Sequence, residues 1–246
     1  MPGLTAIIKK EFKNLAGGGW GAFLLYAIIS VLWSFPLFFY GIGGIGNPGG
    51  GSGGYLWFVF FSVIVTANFS GTVFISERVS GTLEILITSG LSRDAVLFGK
   101  MIFVIAMTTV IGVVCALLAA LWCVAWFAVT GSDALSYFSA AFFFGDLDIN
   151  VVIFNIFLYP SLYLSATFLN AAASAYLSVR MGNPRFLHFV NLSITGAAAG
   201  LCEAASVLFN APAYIMIPAF LLPAALFTLL ARREFAGERI IRPVIF

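Results

Sequence analysis

The stretch from Ser76 to Asp94 gathers the side chains best spaced to do chemistry. Glu77, Arg78, Glu84, Arg93 and Asp94 stand among Ser80, Thr82, Thr88, Ser89 and Ser92. Carboxylates and guanidinium groups this close can pair with one another or with a partner protein, and the hydroxyls can cap helices. They match no catalytic constellation. A phosphate-binding G-x-x-x-x-G-K-[ST] run is missing: Gly99-Lys100 is followed by Met101, and Asp94 stands at the upstream glycine position. H-E-x-x-H does not occur, and the G-x-S-x-G spacing is met only by Gly50-Gly51-Ser52-Gly53-Gly54, within a glycine run that has no strand before it to form a nucleophile elbow. His188 is the single histidine, and Cys115, Cys123 and Cys202 form no C-x-x-C pair, which excludes a Cys/His zinc site. The cysteines read as small buried apolar residues. Asp146 and Asp148 read as solvated surface acids rather than a cation site. We therefore expect no enzyme, no metal, no cofactor within this chain and no nucleic-acid partner.

The elements that must hold these residues are membrane spans. Apolar residues make up 61 % of the 246-residue chain and charged residues 9 %, against roughly 25 % charged in an ordinary soluble domain. With a mean hydropathy of +1.06, such a chain has too little polar surface to cover a water-soluble globule. A spanning helix needs about 20 mostly apolar residues. Six candidates satisfy this: 20–40, 55–75, 101–130, 150–179, 186–202 and 211–231. The first is too long for a signal-peptide core and has no A-x-A site after it, so it reads as an uncleaved helix.

Charge sets the direction. With both termini cytoplasmic, the inner segments are 1–19, 76–100, 180–185 and 232–246. They hold all 12 Lys and Arg residues. The outer segments 41–54, 131–149 and 203–210 carry Asp133, Asp146, Asp148 and Glu203 and no base. That is a complete positive-inside bias. The expectation is an all-α integral membrane protein of six transmembrane helices. It forms one transmembrane domain, residues 1–246, in a prokaryotic inner membrane.

Segment 1–19 opens with Leu4, Ile7, Ile8, Phe12 and Leu15 at helical spacing, with Lys9, Lys10 and Lys13 between them. It reads as an amphipathic elbow helix on the cytoplasmic surface, its lysines near anionic headgroups. Gly17, Gly18 and Gly19 let the chain turn into the bilayer. The external loop 41–54 holds nine glycines and reads as a flexible connector. The external loop 131–149 suits a short helix lying on the membrane.

Within 76–94, Gly81 breaks the end of the second span. Leu83, Leu86 and Ile87 share one apolar stripe, with Glu84 on another side. Ser89-Gly90 ends the short helix, and Ser92 caps the next, with Asp94 in its first turn. An apolar stripe there invites a protein partner. In the fifth span, Gly196 and Gly200 form a G-x-x-x-G run with Ser193 one turn before, a face for close helix packing within the subunit or with a second one. Glu203 is either an outer-gate residue or an acid snorkelling to water.

The run Glu77-Arg78-x-x-Gly81-Thr82-x-Glu84-x-Leu86-x-Thr88, then Ser92-Arg93 and Gly99-Lys100, resembles the first cytoplasmic loop of ABC-2 type permeases of the gliding-motility and multidrug-export group. The opening Ile8-Lys9-Lys10-Glu11-Phe12 is similar to the start of that family. The resemblance implies that 76–94 is the coupling loop onto a separate ATP-binding subunit, with Glu77, Arg78, Gly81, Thr82, Glu84 and Leu86 at the contact. It implies an exporter of two permease subunits, identical or sister, and two ATPases, with ATP and Mg held by the ATPases. It also implies re-entrant helices before the last span, where residues 201–212 leave room for one small turn. The alternatives are a stand-alone secondary transporter or channel, and a membrane scaffold subunit. The spans hold no carboxylate array for ion coupling, which disfavours the first alternative. The 27 phenylalanines suit a hydrophobic cargo, but lipid contact explains them more simply.

Overall fold

The computed structural model describes residues 2–17, 24, 26–34, 53–88, 90–130, 149–181, 183–209 and 213–236. Every element among the described residues is helical. Helix α1 spans Pro2–Gly17, and residues 26–34 form α2. Helix α3, Gly53–Ser70, runs through a π-helical turn at Gly71–Ile75 into α4, Ser76–Val79. Then come α5, Thr82–Thr88, and α6, Arg93–Thr130. Helix α7 spans Ile149–Arg180 and α8 spans Pro184–Phe209. A 3-10 turn at Ala213–Ile215 leads into α9, Met216–Ala236.

Among the described residues three helices are long and apolar enough to cross a membrane: Arg93–Thr130, Phe157–Arg180 and Met216–Ala236. Val59–Ile75 and Phe186–Cys202 are shorter apolar helices. Most of the first expected span, most of the loops 41–54 and 131–149, and residues 237–246 lie outside the described residues.

Helix α7 is the central post. Of its apolar window 83 % is buried, against 39 % for α6 and 22 % for α9. It packs against α9, α3, α6 and α8. Its sequence explains this: Ala166, Ala171, Ala172, Ala173, Ser174 and Ala175 are all buried, and small side chains let neighbouring helices come close. On α6, Val110, Val113, Leu117 and Leu121 form an exposed apolar ridge at spacings of three and four residues.

Polar pairs fasten the bundle. Tyr163 on α7 donates its hydroxyl to Thr108 O on α6 at 2.7 Å. A Cβ at Gly112 would lie 2.5 Å from Tyr163 Cζ, so α6 and α7 close only over a glycine. Thr195 Oγ1 donates to Asn170 Oδ1 at 3.0 Å, and Asn191 Nδ2 donates to Ser174 Oγ at 2.5 Å. These bonds link α8 to α7 where apolar contact alone specifies little.

Two features depart from expectation. Helix α8 runs unbroken through Glu203 to Phe209, so Glu203 sits within a helix and not in an external loop. Alanines 197–199, 204 and 205 sustain it, since alanine has the highest helix propensity. A turn within 201–212 can begin only after Phe209, and residues 210–212 lie outside the described residues. The second departure concerns α1. Its most buried residues are Ile7 and Glu11, at 1 % and 4 % exposure, and they face α6. Phe12 is exposed, with its ring edge-on to Phe103 at 5.1 Å. The helix is docked on protein along a face that includes a carboxylate.

Candidate functional site

The base of α3 and α6 holds a buried ion cluster. Lys100, one residue after Gly99 on α6, is fully buried. Its Nζ donates to Glu11 Oε1 at 2.9 Å, to Glu77 Oε2 at 2.5 Å and to Val73 O at 2.7 Å. An ammonium has three donors, and all three are used. Lys10 donates to the other Glu77 oxygen, Oε1. Two cations thus meet two carboxylates, and the cluster is neutral. The π turn at Gly71–Ile75 widens the helix and sets Val73 O where it accepts from Lys100. The Phe74 ring adds a face 5.8 Å from the ammonium.

Burial alone pushes the Glu77 carboxyl up. Lys100 and Lys10 outweigh it and hold the group below its ordinary 4.5. Arg78 turns the other way and donates from Nη1 to Ser178 O, 2.7 Å away near the end of α7. Its Nε is buried with no acceptor among the described residues, and burial lowers its pKa.

The loop beyond is bracketed by two glycines. Gly81 has φ 72° and Gly90 φ 83°, a left-handed backbone that favours glycine. Ser80 and Thr82 both donate their hydroxyls to Glu77 O at 3.2 Å, closing the end of α4. Helix α5 lies between the glycines. Ser92 Oγ then accepts from Ala95 N at 3.2 Å and caps α6, as its sequence position suggests.

The other helix ends at this side are stitched as well. Arg93 donates to Ala236 O, and to Phe235 O at 3.5 Å, satisfying carbonyls at the end of α9. Arg232 grips Asp94 through two bonds of 3.0 and 2.8 Å. Arg180 pairs with Glu234 at 2.6 Å and stacks its guanidinium 4.8 Å from the Tyr176 ring.

The structure sorts the residues expected at a partner contact. Glu77 and Arg78 point inward and hold the loop. Leu83 is 3 % exposed, and Leu86 packs against the same core. That stripe therefore faces this chain's own interior. Thr82 is exposed, and so is Ile85, at 67 % exposure. The side chains of Glu84, Ile87 and Glu203 lie outside the described residues. On α8, Ser193 donates to Phe189 O at 2.9 Å, and a Cβ at Gly196 or Gly200 would meet nothing within 4 Å. Packing among the described residues does not account for those two glycines.

Sequence reasoning missed Glu11 and Lys100 as partners of Glu77. Their signal was an acid on an otherwise basic amphipathic helix and a lysine abutting a long uncharged run. Among the described residues no group of three metal-ligating side chains occurs. Comparison of the chain with family models, with curated proteins and with solved structures finds no match.

Proposed function

We propose that this chain is the permease subunit of an ATP-driven exporter of the ABC-2 type. In this reading six helices cross the inner membrane, both termini are cytoplasmic, and the loop 76–94 meets a separate ATP-binding subunit. Two such ATPases serve a pair of permease subunits. The paired subunits meet along Ser193, Gly196 and Gly200, with lipid around them.

One observation supports this reading most. The short helix α5 is the exposed end of a rigidly tied unit. Its root, Glu77-Arg78, is bonded to α1, α6 and α7 at once. A force applied to α5 is therefore passed to the ends of those helices instead of being absorbed by a slack loop. That suits a lever driven from outside the chain. Tilting the attached helices would open a path between two permease subunits in alternation.

The test is co-purification with candidate Walker-type ATPases encoded beside this chain. Ile85→Asp and Glu84→Lys should weaken the complex by about 30-fold or more, the effect of losing a contact worth roughly 2 kcal/mol. Ile85 is exposed, so its variant should keep the parent's thermal stability. Undiminished binding and coupled ATP hydrolysis in both variants would overturn the assignment of α5 as the contact.

A further inference from the structure

A groove of about 500 Å³ opens between α3 and α8. Val63, Ile64 and Ala67 line one side, and Phe189 and Leu192 the other. Polar side chains enter it from Asn68 and His188. Both the volume and this mostly apolar lining with a few polar groups are typical of small-molecule sites, which span roughly 300–1,000 Å³.

The lining is ordered along the helices. His188 lies four residues into α8, near the loop end, and Leu192 is one turn farther in, about 6 Å deeper at 1.5 Å per residue. On α3, Asn68 is nearer the loop end, and the accessible Ile64 lies four residues, about 6 Å, deeper. The groove thus has a polar end toward the loop and an apolar end toward the bundle's middle. Asn68 Nδ2 donates one of its two protons to Ile64 O at 2.9 Å, which leaves its second N–H and its Oδ1 acceptor for a ligand. The His188 ring can donate or accept.

We propose that this groove binds a membrane amphiphile. Its polar end meets His188 and Asn68, and its acyl chain runs along Ile64, Phe189 and Leu192. The order of polar and apolar groups is that of a lipid in the cytoplasmic leaflet. A second copy of the chain is the poorer occupant. The residues that allow close helix approach, Gly196 and Gly200, lie one and two turns beyond Leu192, whereas the groove is walled by bulky Phe189 and Leu192. The inference rests on the membrane placement proposed above and not on ATP-driven transport.

The experiment uses the full chain alone in phosphatidylcholine nanodiscs, without any ATPase, so failure of the transporter reading leaves it intact. One sample carries a diazirine fatty acid, the other a diazirine phosphatidylglycerol. Labelled peptides are mapped by mass spectrometry. Labelling by either probe should concentrate on 63–68 and 188–192, and the probe that labels tells free amphiphile from bilayer lipid. Leu192→Trp, which fills the groove from a partly exposed position, should cut that labelling at least about tenfold. His188→Leu should cut it severalfold at unchanged thermal stability. Labelling spread equally over the exposed ridge of α6, or undiminished in Leu192→Trp, would overturn the proposal. So would disulfide cross-linking of Phe189→Cys between two copies that blocks labelling. A chain released from membranes without detergent would instead overturn the placement itself.

Discussion

Lys100→Met should destabilise the chain by about 3–5 kcal/mol, the cost of removing one partner from a buried charge network. The methionine fills the space but leaves Glu11 and Glu77 facing each other with Lys10 as their one cationic partner among the described residues. Val73 O also loses its donor. Thermal unfolding of the detergent-solubilised chain reads the loss. A pH series gives a second, more specific readout. Glu77 is held below its ordinary value in the folded chain, so its contribution is complete above about 4.5 and is lost as pH falls below that. The parent should lose stability on that acid side. In Lys100→Met burial gains the upper hand, and the acid-side loss should shrink or reverse. A variant as stable as the parent with the same acid limb would show that the cluster holds nothing.

Gly99→Val should lift α1 off the bundle. A Cβ at Gly99 would stand 2.9 Å from Ile7 Cγ2 and 3.0 Å from Ile7 Cβ. The clash is with the stem of a buried side chain and not with a flexible tip, so backing away means moving the helix. Overpacking of this kind costs about 1–3 kcal/mol, and the upper end is expected because Glu11 is drawn away from Lys100 one turn along. Limited proteolysis should then cut within Pro2–Gly17 at least about tenfold faster, because opening of the docked helix sets the rate. Ile7→Ala in the same chain should restore part of the protection, because it removes the Cγ2 methyl at 2.9 Å and leaves the Cβ contact. Restoration by the double variant separates a packing clash from general misfolding. A single variant cleaved no faster than the parent would show that α1 is not seated as described.

The sequence disclosed the local features and hid the assembled ones. Ser92 as a cap, Gly81 and Gly90 as helix breaks and the helical spacing of α1 all depend on residues within a few positions of each other. The ion cluster joins residues 11, 77 and 100, and such a union is set by packing. Lys100 read as a boundary charge because it abuts an uncharged run, and only the fold shows it wholly enclosed. The stripe of Leu83 and Leu86 teaches a related lesson. Periodicity tells which side chains share a face but not which body covers it, and here this chain's own core does. Glu203 was placed outside a span because apolar length was counted up to the first acid, whereas alanine propensity carries α8 past it.

The π turn at Gly71–Ile75 makes chain length there matter more than residue identity. One residue removed would let the segment relax into an ordinary helix. Everything beyond would rotate by about 100°. Glu77 would then swing off Lys100, and Arg78 off Ser178, in a single step. Variation in this stretch should accordingly take the form of substitutions and not gaps, because the extra residue is the offset that brings the two charges into register with their separate targets.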